Sequence, residues 1–79
     1  MRKTPLFSDA KRAHQDGKII IVRVLGGSVH RITGFTSTQD DDGRIYLALS
    51  SDGARIESKF CKEFYICETV REAQGALCP

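Results

Sequence analysis

The sequence predicts a mainly β protein: a small, five-stranded antiparallel barrel with a short N-terminal helix and a possible C-terminal helix. Two apolar runs, Ile19-Ile20-Ile21-Val22 continuing to Leu25, and Val29 to Phe35, flank Gly26-Gly27, the arrangement of a hairpin with a tight turn. A second pair, Arg44 to Ser50 and Ala54 to Phe60, is joined by Ser51-Asp52-Gly53. Gly34 falls inside the strand that follows the first turn, where a glycine marks a bulge or bend of the kind that curls a small sheet.

Taken in order, residues 1–7 read as a flexible arm, because Pro5 biases Thr4 away from helix and nothing nearby is periodic. Residues 8–17 read as a short helix, with Ser8 as cap, Asp9 in the first turn and Gly17 as the stop. The barrel is expected over residues 18–68. Its first strand, Lys18 to Leu25, places Ile20, Val22 and Val24 on one face and Ile19, Ile21, Arg23 and Leu25 on the other, so both faces need cover. The N-terminal helix or a second subunit is expected over Ile19 and Ile21. Strand two runs from Ser28 to about Ser37 and is followed by the turn Asp40-Asp41-Asp42-Gly43. Strand three, Arg44 to Ser50, alternates cleanly, and the strand after Gly53 opposes Ile56, Ser58 and Phe60 to Arg55, Glu57 and Lys59. Phe64 to Cys67 is a short fifth strand, rich in residues that favour sheet, although Phe60, Phe64, Cys67 and Val70 also fit one helix from about Ser58 onward. Residues 69–79 read as a short helix, stopping at Gly75, and a frayed tail. Short strands joined in this way point to a barrel of the SH3 or Sm type.

A chain of 79 residues makes one small domain that buries only about 60–65% of its unfolded surface. Its 41% apolar and 28% charged composition is that of a globular chain, not a disordered one. No apolar run is long enough to span a bilayer, and no apolar stretch follows the basic N-terminus as in a signal peptide, so a cytoplasmic location is expected. Cys61, Cys67 and Cys78 make an odd count without tight spacing, which suits free thiols. The charge is uneven: residues 1–31 carry seven Lys/Arg against two Asp, and residues 32–79 carry five against eight acids. A basic face for nucleic acid or an acidic partner would follow from this, as would ordinary solvated charge.

Gly43-Arg44-Ile45-Tyr46-Leu47 resembles the signature strand of WYL domains, Sm-like barrels of bacterial regulators in which a Trp-Tyr-Leu triplet follows a turn. The order of elements over residues 10 to 68 is similar. Tyr46 and Leu47 match the triplet, Ile45 replaces its Trp, and Ile56-Glu57-Ser58-Lys59-Phe60 departs from the aromatic-basic run that follows it in that family. The resemblance implies a ligand- or nucleic-acid-sensing module in which Tyr46, Arg31 and Arg55 line the binding surface. Alternation alone makes Tyr46 a packing residue of a half-buried strand.

No nucleophile elbow, phosphate-binding loop or paired carboxylates are present, and the three aspartates of the turn lack the alternating ligands and distal Glu of a calcium loop. Cys61, Cys67 and His30 match no zinc spacing, and a cysteine nucleophile lacks supporting residues. The chain is therefore expected to be a non-enzymatic binding module without metal or cofactor. It would recognise nucleic acid or a small regulatory ligand through Arg23, Arg31, Tyr46, Arg55 and Lys59. The alternative is a protein-interaction or inhibitor module, of the sort mobile elements encode, that occupies a partner's surface. Self-association is expected across Ile19 and Ile21 or the final strand, because an eight-residue helix with two alanines has little apolar surface to cover that face; the competing account is that Leu6, Phe7 and the C-terminal helix cover it within one chain, which would leave a monomer.

Overall fold

The computed structural model describes residues 1–78. In chain order the elements are β1 (Arg2–Thr4), α1 (Phe7–Gln15), β2 (Ile19–Val24), β3 (Val29–Asp40), β4 (Gly43–Ser50), β5 (Arg55–Glu57), a 3₁₀ turn (Ser58–Phe60), β6 (Cys61–Cys67) and α2 (Val70–Leu77). The strands form one antiparallel sheet in the order β1-β6-β2-β3-β4-β5. This corrects the expected five-stranded barrel: there are six strands, and the outer two, β1 and β5, do not pair, so the sheet stays open. The sixth strand comes from the expected arm, whose Arg2, Lys3 and Thr4 lie opposite Ile66, Tyr65 and Phe64.

β2 sits inside the sheet because both its faces are apolar. Ile20 and Val22, fully buried, join Ala10 and Ala13 of α1 with Ile32, Ala48, Ile56, Phe64 and Ile66 in the larger core. Ile21, also fully buried, packs on the other face with Tyr65, Cys67 and the α2 residues Ala73 and Ala76, and Ile19 is half-buried against the same group. The expected cover is thus reversed. α1 lies over Ile20 and Val22, and α2 covers Ile21 within one chain, which removes the surface that motivated self-association there. The final strand offers no edge either, since β6 is held between β1 and β2.

Local chemistry explains most boundaries. Gly27 (φ 97°) lets the β2–β3 turn close, with its N–H bonded to the Val24 carbonyl at 2.9 Å. Gly17 (φ 87°) ends α1 as expected. The helix begins one residue before Ser8, with Leu6 in the cap position and its N–H donated to Thr4 Oγ1 at 3.2 Å. Register slips between Ile32 and Gly34, so the bend expected at Gly34 is a bulge that carries Thr33 as the extra residue. β5 is shorter than expected, because the chain leaves the sheet at Ser58 in the 3₁₀ turn. The last apolar stretch is strand rather than helix: Phe64 and Ile66 face one core, Tyr65 and Cys67 the other. α2 runs through Gly75 to Leu77, and Thr69 caps it by accepting the Glu72 N–H (3.2 Å) while the Glu72 carboxylate accepts the Thr69 N–H (3.3 Å). Pro79, the end of the expected tail, lies outside the described residues.

Candidate binding groove around Tyr46

Strand alternation decides where each expected site residue points. Arg31 lies opposite Ile21, and Arg23 is two residues further along β2, so both belong to the α2 face of the sheet. Arg55 alternates with the core residue Ile56 and shares that face. Tyr46 alternates in the other sense: two residues before the core residue Ala48, it lies on the α1 face, with its ring 6.2 Å from that of Phe7. The five residues do not form one surface. Arg23 is half-buried with its guanidinium 5.8 Å from the Tyr65 ring centre, Arg31 is exposed, and Arg55 borders a separate apolar hollow of about 380 Å³ with Leu25, His30, Ile56 and Phe60.

Tyr46 and Lys59 do come together. A groove of about 270 Å³ runs between β4 and the 3₁₀ turn, lined by Arg44, Ile45 and Tyr46 on one side and Glu57, Ser58 and Lys59 on the other, with Asp40 and Asp42 at the hairpin tip. A second hollow of about 360 Å³ adjoins it, bounded by Phe7, Ser8, Lys11, Tyr46 and Ser58. Tyr46, 45% exposed, borders both. Its backing is rigid, because the Phe7 ring packs edge-on against Phe35 (5.2 Å) and Phe64 (6.0 Å). The Arg44 guanidinium is held by donating to Ser37 Oγ at 2.9 Å. Lys59 Nζ lies 3.8 Å from Glu57 Oε2, and the Asp40 carboxylate accepts the Asp42 N–H at 2.8 Å. Three bases, Lys11, Arg44 and Lys59, thus face three acids, Asp40, Asp42 and Glu57, around one tyrosine. Lys11 and Arg44 are the members that the sequence did not single out; only their positions beside Tyr46 in the folded chain mark them.

A polar cluster at the far end of the sheet joins two reverse turns. Ser28 Oγ and His30 Nε2 are 3.0 Å apart, His30 Nδ1 lies 3.0 Å from Asp52 Oδ2, and Asp52 Oδ1 accepts from the Ser50 hydroxyl and, at 3.3 Å, from the Ala54 N–H. The Ser50 hydroxyl above all, then His30 and Ala54, hold the Asp52 carboxyl down at about 2. Of these bonds His30–Asp52 crosses from the β2–β3 turn to the β4–β5 turn and the others brace one turn or the other, so we read the cluster as a clamp. Burial pushes the Cys61 thiol up to about 11 and raises that of Cys67, the opposite of activation. Among the described residues, no three His, Cys, Asp or Glu side chains converge to hold a metal ion, and no helix is long and apolar enough to cross a membrane. No known family model, curated protein or solved structure matches this chain.

Proposed function

We propose that the chain is a non-enzymatic binding module whose recognition surface is the groove around Tyr46, and that its target is a protein. The observation that carries this is the exposed Tyr46 ring, backed by Phe7 and flanked by a groove on each side. Tyrosine offers a large, stiff contact surface with a polar tip, which suits the centre of a protein interface. The balance of Lys11, Arg44 and Lys59 against Asp40, Asp42 and Glu57 favours a partner with mixed charge over a polyanion. An inhibitor or adaptor that acts by occupying a partner's surface fits this reading. Purification of the partner from the source cell tests it: one stoichiometric protein, retained by the unaltered chain and lost with Tyr46→Ala, is the expected result. Equal retention by the variant would move the interface elsewhere.

A second reading keeps nucleic acid or a regulatory ligand, supported by three cations around an exposed aromatic ring and by the likeness of Gly43 to Leu47 to the WYL signature strand. Bases would stack on Tyr46 while phosphates meet Lys11, Arg44 and Lys59. Such binding weakens steeply with salt, so titration with single- and double-stranded oligonucleotides at two salt concentrations tests it. No binding at low salt removes nucleic acid.

A further inference from the structure

We infer that Ser28 is an acyl-acceptor site: its hydroxyl, with His30 as general base and Asp52 orienting the ring, takes an apolar acyl group from an activated ester and seats it in the hollow lined by Leu25, Ile56 and Phe60. The inference goes beyond the Tyr46 groove and stands independently of it.

Register brings the three polar side chains together. Ile32 on β3 lies opposite Ser50 on β4, so two residues further along the same pairing Asp52 comes beside His30. Ser28 precedes His30 by two residues and falls on the same face. His30 Nδ1 lies 3.0 Å from Asp52 Oδ2, and its Nε2 lies 3.0 Å from Ser28 Oγ. The Asp52 carboxyl, held down at about 2, is ionised near neutrality and can only accept. It therefore fixes the proton of the neutral ring on Nδ1 and leaves the Nε2 lone pair to accept from the Ser28 hydroxyl. A nucleophile, a base and a group that orients the base are the parts of acyl transfer, recognised by roles and distances rather than by chain order. Ser28 is exposed, so an ester can reach it, and among the described residues its N–H makes no hydrogen bond, which leaves that donor for the oxyanion.

The adjoining hollow selects the acyl group. His30 borders it with Val24, Leu25, Ile56 and Phe60, and its volume of about 380 Å³ suits a small ligand. Leu25 and Phe60 are exposed large apolar residues, and a chain lying between them recovers part of the burial they forgo. In the step, Ser28 Oγ bonds to the acyl carbon while its proton passes to His30 Nε2. The bond from that carbon to the leaving oxygen breaks, and the same proton goes to that oxygen, releasing the alcohol. The acyl chain then lies against His30 and keeps from the new ester the water that would hydrolyse it, so each chain takes up one group and remains a binding module.

The test treats the full-length chain with p-nitrophenyl acetate and p-nitrophenyl butyrate, follows nitrophenolate release and locates the acyl group by peptide mass mapping. One equivalent should be released per chain, with the acyl group on Ser28. Corrected for hydrolysis in buffer, butyryl transfer should be about tenfold faster than acetyl transfer, from two further methylenes at about 0.8 kcal/mol each. Ser28→Ala should abolish the butyryl-preferring release, and His30→Gln should slow it at least about a hundredfold. Asp52 is a positioning residue, so Asp52→Asn should slow labelling while the butyryl preference stays. Leu25→Ala should shrink that preference while Ser28 is still labelled. Should His30→Gln or Asp52→Asn fail to fold, mass mapping of the unaltered chain and of Leu25→Ala decides. Label confined to lysines, the N-terminus or Cys78, or Ser28 labelled no faster than the exposed Ser8, would overturn the inference. Repeated release traced to Ser28 would keep the nucleophile and overturn the reading of the chain as non-enzymatic.

Discussion

Replacing Ile21 with alanine measures how far α2 closes the sheet. Ile21 is fully buried, packed between Tyr65 and Cys67 of β6 and Ala73 and Ala76 of α2. At about 0.8 kcal/mol for each buried carbon removed, the transfer loss is roughly 2.5 kcal/mol, and the cavity left against these neighbours brings the cost to about 3–4 kcal/mol. A chain of 79 residues has about 4–12 kcal/mol in all, so the variant should sit near the edge of folding. Urea denaturation followed by circular dichroism should show the midpoint lowered by roughly 3 M, given a slope near 1 kcal/mol per molar for so small a protein. Because the cover comes from the same chain, the midpoint should not move when protein concentration is raised roughly a hundredfold. Val70→Ala, on the exposed side of the same helix, should stay within about 0.5 kcal/mol of the parent. A loss under about 1 kcal/mol for Ile21→Ala would show that α2 does not seal this face, and a midpoint that rises with concentration would show that a second subunit does.

Asp52→Asn tests the clamp through its pH dependence. The folded carboxyl sits below its ordinary 3.8, at about 2, so it contributes stability that is present above the unfolded value and lost as pH falls through the folded one. The stability gap between parent and variant should close on acidification from about pH 4 toward 2; parallel profiles over that range would contradict the assignment. Thr69→Ala opens the reciprocal cap of α2 and should cost about 1 kcal/mol in urea unfolding. In the folded chain at neutral pH, Cys78, exposed, should react with a disulfide reagent well before Cys61 and Cys67, whose thiols burial protects; equal rates would mean that the sheet opens locally.

What the sequence made legible was local. Gly27, Gly53 and the Asp40-Asp41-Asp42-Gly43 turn announce hairpins through their own chemistry, and the alternation of Ile45, Leu47 and Leu49 needs no neighbour to be read. β1 could not be read, because Arg2–Thr4 has no pattern of its own and is a strand only because β6 offers it an edge. The sequence offered the C-terminal helix as one of two covers for Ile21, but Ala73 and Ala76 carry too little apolar area to choose it over a second subunit without the fold. The site failed for a related reason. Grouping Arg23, Arg31 and Arg55 with Tyr46 needs the relative phase of three strands, and the extra residue at Thr33 reverses that phase between the start and the end of β3. Lys59 lies in one groove with Tyr46 because the 3₁₀ turn carries it back toward β4.

An open sheet has two edges to protect, and this one treats them differently. β1 closes its side with three residues, two of them basic, which is too short and too charged to template another strand. β5 is equally short, and it leaves four residues of the longer β4 extending past it. The turn that follows β5 keeps Ser58 beside Tyr46, so too little of that stretch is left to hold a growing stack. The charges around it, Asp40, Asp42, Arg44 and Lys59, further disfavour indiscriminate pairing. Closing the sheet into a barrel would have removed this edge altogether. The arm that pairs with β6 and the 3₁₀ turn that ends β5 together keep it open, and they do so beside the one exposed tyrosine of the chain.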